Sequence, residues 1–178
     1  MDMIIVILAA GLSRRFGSAN KLLYEIDGES LIHHVAREAC SAYETRVVVG
    51  HQENLIKGAL SDLPVSFVYN PDYEKGQFTS TQAGIKGIDK PFFIMLGDLV
   101  KIRRESYLEL SGLLEGHDAV RPFYRGVPGH PVLLAAHMAK VLLQCPANYS
   151  VRKALEGRDV HCHEGLDDSW IADMDTRP

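Results

Sequence analysis

Short, unbroken apolar runs alternate with segments of helical periodicity along this chain. The runs Met3 to Leu8, Arg46 to Val49, Val65 to Tyr69, Phe92 to Leu96, Ala119 to Phe123 and Pro131 to Leu134 are rich in β-branched and aromatic residues. They lack in/out alternation, the pattern of strands covered on both faces in a mainly parallel sheet. Between them Leu31, Ile32, Val35, Ala36, Ala39 and Cys40 recur at helical spacing behind Ser30, a residue type suited to cap a helix. Leu108, Leu110, Leu113 and Leu114 predict a second helix, and Met138, Val141 and Leu142 a third. Strand and helix in alternation make an α/β fold. With no internal repeat, low-complexity tract or long linker, residues 1–178 read as one domain. Turn residues such as Asp27-Gly28 and Asn70-Pro71 punctuate the elements. In an open parallel sheet ligands bind beyond the carboxyl ends of the strands, so chemistry is expected just after the apolar runs.

Composition and charge narrow the classes of function. The chain is 46% hydrophobic and 24% charged, as in ordinary globular proteins, and its 19 Lys plus Arg against 23 Asp plus Glu leave a net charge of -4. Such a balance gives no global attraction for a polyphosphate strand, and no nucleic-acid partner is expected. The apolar runs fall far short of the ~20 residues a bilayer requires, and Asp2 stands where a signal peptide carries positive charge. A cytoplasmic protein with no membrane partner is therefore expected. Cys40, Cys145 and Cys162 form no CxxC pair, which argues against a disulfide framework or a cysteine zinc site and leaves buried or inert thiols.

The stretch after the first run, Leu8 to Lys21, carries small residues where a ligand could approach the backbone, then Arg14, Arg15 and Lys21 with no intervening acid. Backbone amides beside cations suit a phosphate group. Neither GxGxxG nor Gly-Lys-Ser/Thr is present, which excludes a dinucleotide fingerprint and a Walker loop. A plain solvated loop is the alternative on composition alone. The spacing, however, resembles the nucleotidyltransferase signature L-A-A-G-x-S-x-R-x-G-x-x-x-K, met at every specified position by Leu8, Ala9, Ala10, Gly11, Ser13, Arg15, Gly17 and Lys21. That family has a Rossmann-like, three-layer α/β/α single-domain fold. The resemblance implies that Leu8, Ala9, Ala10 and Gly11 wrap a nucleoside triphosphate while Arg15 and Lys21 contact its phosphates.

Gly97-Asp98 follows the Phe92 to Leu96 run directly. A carboxylate at the end of a buried strand can hold Mg²⁺ or Mn²⁺, hard cations that share phosphate oxygens with their substrate, although a turn cap is the plainer role of such a pair. The family usually reads G-D-x-P here, and Val100 replaces the proline. Further matches resemble the molybdenum-cofactor cytidylyltransferases: Asn70 with Gly76-Gln77-Phe78-Thr79-Ser80, Gly129-His130-Pro131-Val132-Leu133, and a closing Asp173-Met174-Asp175-Thr176. Each has a plain alternative: turn residues at Asn70 and Gly76, an N-cap at Ser80, a structural histidine at His130, and solvent-facing acids on an edge strand at Asp173 and Asp175. His161 and His163 share one strand face, but an edge strand explains them better than a metal pair.

The resemblance implies transfer of CMP from CTP to the phosphate of molybdopterin, with release of pyrophosphate. Lys21 would sit on the α-phosphate, Arg15 on the leaving pyrophosphate and Asp98 on the metal. Asn70 and Ser80 would join the nucleotide site, Asp175 the metal shell, and His130 and Asp173 the acceptor side. A molybdoenzyme or chaperone partner is also implied. CTP is favoured because guanylyl-transferring relatives usually read L-A-G-G, whereas this chain has Ala10 at the third position. The rival readings are GTP with molybdopterin, a sugar or alditol phosphate as acceptor, and a non-catalytic nucleotide-binding module.

Overall fold

A computed structural model describes residues 2–12 and 20–172. Its eight-stranded sheet is built from β1 (Ile4–Leu8), β4 (Glu44–Val49), β5 (Val65–Tyr69), β6 (Phe92–Leu96), β7 (Ala119–Tyr124), β8 (Val127–Pro128), β9 (Val132–Leu134) and β10 (Val160–Glu164), in the order β10-β7-β9-β6-β1-β4-β5 with β8 paired to β7. A separate two-stranded hairpin, β2 (Glu25–Ile26) and β3 (Glu29–Ser30), turns at Asp27 and Gly28. Both turn residues have positive φ, 53° and 81°, as the tight hairpin requires. The helices are α1 (Leu31–Ala42), α2 (Glu53–Ala59), α3 (Gln77–Ile85), α4 (Arg104–Ser111), α5 (Met138–Gln144) and α6 (Val151–Ala154).

The continuous apolar runs follow from burial on both faces. In β1, Ile5 and Ile7 pack with Ile32 and Val35 of α1 and Tyr107 of α4, while Ile4, Val6 and Leu8 join the cluster containing Ile85 of α3 and Met138 of α5. Every β1 residue is 8% exposed or less. Ser30 caps α1, its hydroxyl accepting from the His33 amide. α3 lies close against the sheet through Gly84, where a Cβ would stand 2.5 Å from Val6 and 2.6 Å from Val48.

The sheet is mostly parallel, but β9 runs against both β6 and β7. This reversal positions the site. Leu8 of β1 pairs in register with Val48 of β4 and Leu96 of β6, so their carboxyl ends share one edge. Because β9 is reversed, its entry at Val132, opposite Ile94, brings His130 to that same edge. Strand order switches at β1, flanked by β4 on one side and β6 on the other, the place where α/β sheets open a ligand crevice. The thiols differ in part from expectation: Cys40 and Cys145 are half-buried and Cys162 is exposed, because β10 is an edge strand. Burial pushes the Cys40 thiol pKa up.

Candidate active site

Two backbone devices bring the opening loop and the β6 carboxylate together. Beyond β1 the chain stays tied to the sheet, with the Ala9 amide donating to Val48 (2.9 Å), the Gly97 amide to Leu8 (3.3 Å) and the His51 amide to Ala10 (3.3 Å). Ala9 and Ala10 are consequently buried, whereas Gly11 stands out in solvent with open space where a Cβ would lie. The chain re-enters at Asn20, whose Oδ1 accepts from the Leu22 amide at 3.0 Å and starts a short 3₁₀ turn, Lys21–Leu23. Leu22 then packs beside Gly97, 3.2 Å from where a Cβ would sit, so a larger residue there would displace it.

This packing sets Lys21 against Asp98. The Lys21 ammonium is 2.8 Å from Asp98 Oδ2, and the two side chains are 12% and 20% exposed. Asp98 Oδ1 is buried and has no hydrogen-bond partner among the described residues. A buried carboxylate oxygen left unpartnered is costly unless something fills its lone pairs, so the atom fits a cation arriving with its ligand. Among the described residues no group of three His, Cys, Asp or Glu could hold a metal by itself. His163 Nε2 lies 2.8 Å from Glu109, and the His161 ring sits 5.2 Å from that of His117.

Asn70 and Ser80 form a buried clamp. They are 3% and 4% exposed, and the Asn70 amide donates to Ser80 Oγ at 2.9 Å and to Thr79 Oγ1 at 3.0 Å while its Oδ1 accepts from the Asp72 amide. The clamp joins the end of β5 to the first turns of α3. Ser80 lies within the helix and so does not cap it; the helix begins at Gln77. Where the family has proline, Val100 lends its carbonyl to His34 at 3.0 Å.

His130 lines a cavity of about 380 Å³ that also touches Leu8 and Ile94. Its Nδ1 faces the Ile94 carbonyl at 3.5 Å. Burial pulls its pKa down to about 4; the nearby Arg121 charge acts in the same direction, while the Ile94 carbonyl and Asp98 oppose it. The ring is therefore neutral near pH 7, and with Nδ1–H on the carbonyl its Nε2 is an acceptor. Arg121 and Arg152 share this cavity, and neither was among the residues expected from sequence. The signal for Arg121 was a lone charge inside the otherwise apolar Ala119 to Phe123 run. Arg14, Arg15, Asp173 and Asp175 lie outside the described residues.

Comparison with known proteins identifies relatives of this chain. The MobA-like NTP transferase domain family matches residues 5–163. The molybdenum cofactor cytidylyltransferase of Escherichia coli (strain K12) is 27% identical over 173 residues, covering 96% of this chain and 90% of that protein. Bifunctional GlmU proteins also match, but the chain spans only 24% to 35% of their length. Rv0371c from Mycobacterium tuberculosis H37Rv superimposes with a TM-score of 0.85 at 19% identity, covering 99% of this chain and 93% of that one. Its manganese complex gives 0.76 at 16% identity, covering 93% and 90%. Molybdopterin-guanine dinucleotide biosynthesis protein A from Archaeoglobus fulgidus gives 0.75 at 19%, covering 97% and 92%. No helix of the described residues is long and apolar enough to cross a membrane. Matched over residues 5–163, the chain belongs to the MobA-like NTP transferase domain family and is an enzyme of the nucleotidyltransferase type.

Proposed function

We propose that this enzyme transfers CMP from CTP to the terminal phosphate of a molybdopterin-type acceptor, releasing pyrophosphate. The observation that carries the reading is the Lys21–Asp98 pair at 2.8 Å, with Asp98 Oδ1 buried and unpartnered among the described residues. The likeness over 96% of the chain to a molybdenum cofactor cytidylyltransferase supports the choice of donor and acceptor, as does Ala10 at the position where guanylyl relatives carry glycine.

In this reading an oxygen of the acceptor phosphate attacks the α-phosphorus of CTP. A phosphoanhydride forms, the bond to the β-phosphate breaks, and pyrophosphate carries away the electron pair. The attacking group is already an anion at pH 7, so no general base is needed; the obstacle is repulsion between anions. Lys21, poised on a carboxylate, offers its ammonium to the α-phosphate oxygens, and such preorganised charge acts without reorganisation. Asp98 would hold a divalent cation, Mg²⁺ or Mn²⁺, through Oδ1, supplying neutralisation of the phosphate charge; manganese bound to the mycobacterial relative supports this. Ala9, Ala10 and Gly11 place small residues and backbone at the sheet edge, where the nucleotide would lie. Asn70 and Ser80 shape that pocket by fixing α3. Arg15 is assigned to the pyrophosphate, Asp173 to the acceptor side and Asp175 to the cation shell on the resemblance alone.

Pyrophosphate release with CTP, GTP and ATP in turn tests the donor. Preference for CTP supports the reading; a preference for either purine triphosphate overturns it.

A further inference from the structure

Lys21 and Asp98 stand on segments that meet a second time, away from their ion pair. The 3₁₀ turn of Lys21 runs directly into the β2–β3 hairpin, which closes onto α1 where the Leu31 amide donates to the Tyr24 carbonyl at 3.0 Å. Asp98 opens the loop 97–103 between β6 and α4, and buried Leu99 and Ile102 pin that loop to the core. His34 of α1 touches both segments. Its Nε2 lies 3.0 Å from the Val100 carbonyl oxygen, and its Nδ1 lies 3.3 Å from Glu29 Oε2 of the hairpin and 3.1 Å from Arg37 Nη2.

A carbonyl oxygen only accepts, so Nε2 carries the proton and donates to Val100. In the neutral ring Nδ1 is then an acceptor, and Arg37 fills it. The same guanidinium grips Glu29 at 3.0 and 3.1 Å, so hairpin, helix and loop form one connected chain of bonds. Arg103 gives the Val100 carbonyl a second donor at 3.3 Å and also lies against His34 Nε2. Val100 stands outside strand and helix and lacks the fixed φ that a proline would bring there, so these side chains supply the restraint. His33, one residue earlier, differs. It reaches Glu29 at 2.6 Å and Asp62 at 3.1 Å, but makes no hydrogen bond to residues 97–103 among the described residues.

We propose that His34 is a positioning residue for the transfer: by tying the loop after Asp98 to the hairpin after Lys21, it fixes the separation of those two charges. It acts through the Val100 backbone, two residues beyond Asp98, and not on the reacting atoms. A misplacement of about 1 Å at a reacting centre can cost about 100-fold in rate, so such a restraint shows in turnover even where it adds little to stability. The proposal rests on the nucleotidyl-transfer reading of the Lys21–Asp98 pair.

The test compares the wild type with His34→Leu, His34→Asn, His34→Gln and His33→Leu. Three quantities are read: hydrogen exchange over residues 97–103, calorimetric affinity for CTP with Mn²⁺, and pyrophosphate release with molybdopterin present. Leucine removes the donor and asparagine is too short to reach Val100, whereas a glutamine amide places an N–H near the position of Nε2. In the Leu and Asn variants exchange across 97–103 should rise about 10-fold and kcat should fall about 10-fold or more, with CTP affinity within about 3-fold of the wild type. His34→Gln should recover most of both losses, and His33→Leu should match the wild type in both. His34 is partly exposed, and the polar Asn variant carries the test if His34→Leu fails to fold. Unchanged exchange, unchanged kcat, a loss confined to CTP affinity, a Gln variant no better than Leu, or an equal loss in His33→Leu would overturn the assignment. Loop exchange that depends on His34 in a protein releasing no pyrophosphate faults nucleotidyl transfer and leaves the restraint standing. Turnover by the wild type, with loop exchange indifferent to His34, faults the positioning role alone.

Discussion

Replacing Lys21 by Met separates the structural role of the ion pair from its chemical one. At 2.8 Å and an effective dielectric constant of about 20, the gross attraction between the two charges is about 6 kcal/mol. Most of that is offset by the cost of drawing both groups out of water. Removal of one partner strands the other: Asp98, with Oδ1 already unpartnered among the described residues, would lose its Oδ2 contact with Lys21. Breaking a fully buried pair costs about 3–5 kcal/mol. With side chains 12% and 20% exposed, this pair should cost less, about 1–3 kcal/mol. The neutral double variant Lys21→Met/Asp98→Asn removes the stranded charge and should recover most of that loss. Activity should behave differently. Loss of one preorganised electrostatic contact costs about 2.7–4 kcal/mol in the transition state, two to three decades in turnover. Both single variants and the double variant should therefore fall at least about 100-fold in pyrophosphate release. Urea melts give the stabilities and a coupled pyrophosphate assay the rates. A double variant that recovers activity along with stability would refute the reasoning, since the pair would then serve folding alone.

Four further outcomes follow from other parts of the fold. His130 is held neutral, with a pKa lowered from 6.5 to about 4, so the unfolded chain binds more protons than the folded one between those values. Its stability contribution is complete above about pH 6.5 and is lost as pH falls toward 4, by at most about 3 kcal/mol; urea melts of His130→Gln should show a correspondingly flatter slope in that window. Glu29 acts in a lower window: Arg37 foremost, helped by His33 and His34, holds its pKa at about 2, so its contribution disappears only below about pH 4.5. Gly84→Ala would drive a Cβ to 2.5 Å from Val6 and 2.6 Å from Val48, and thermal melts should show a loss of about 1–3 kcal/mol. Gly11→Ala meets open space and should leave the melting temperature unchanged, yet raise the KM for the triphosphate if the nucleotide packs on that backbone.

Legibility in the sequence tracked how each element is covered. β1 and β6 are buried on both faces and stand as unbroken apolar runs, and α1 is an amphipathic helix with a serine cap, so all three can be read from pattern alone. α3 escapes such reading because its buried residues include Thr79, Ser80, Thr81 and Gly84, polar or small types that suggest a loop. They are buried because α3 presses on β1 and because Asn70 satisfies Thr79 and Ser80. The reversal of β9 cannot be read from three apolar residues, since direction is a property of the partner strands. Lys21 and Asp98, 77 residues apart, meet because β1 and β6 are neighbours in register, a pairing the sequence does not state. The Arg121–Arg152 cavity did not emerge, because it depends on residues 31 positions apart, on β7 and α6, lining one space.

The central claim is tested most directly by the mass of the product. The enzyme incubated with Mg²⁺, CTP and molybdopterin should yield one species heavier than the acceptor by a cytidine monophosphate unit, with one pyrophosphate released per molecule formed. Recovery of acceptor and CTP unchanged, under conditions where the protein is folded, would contradict the account.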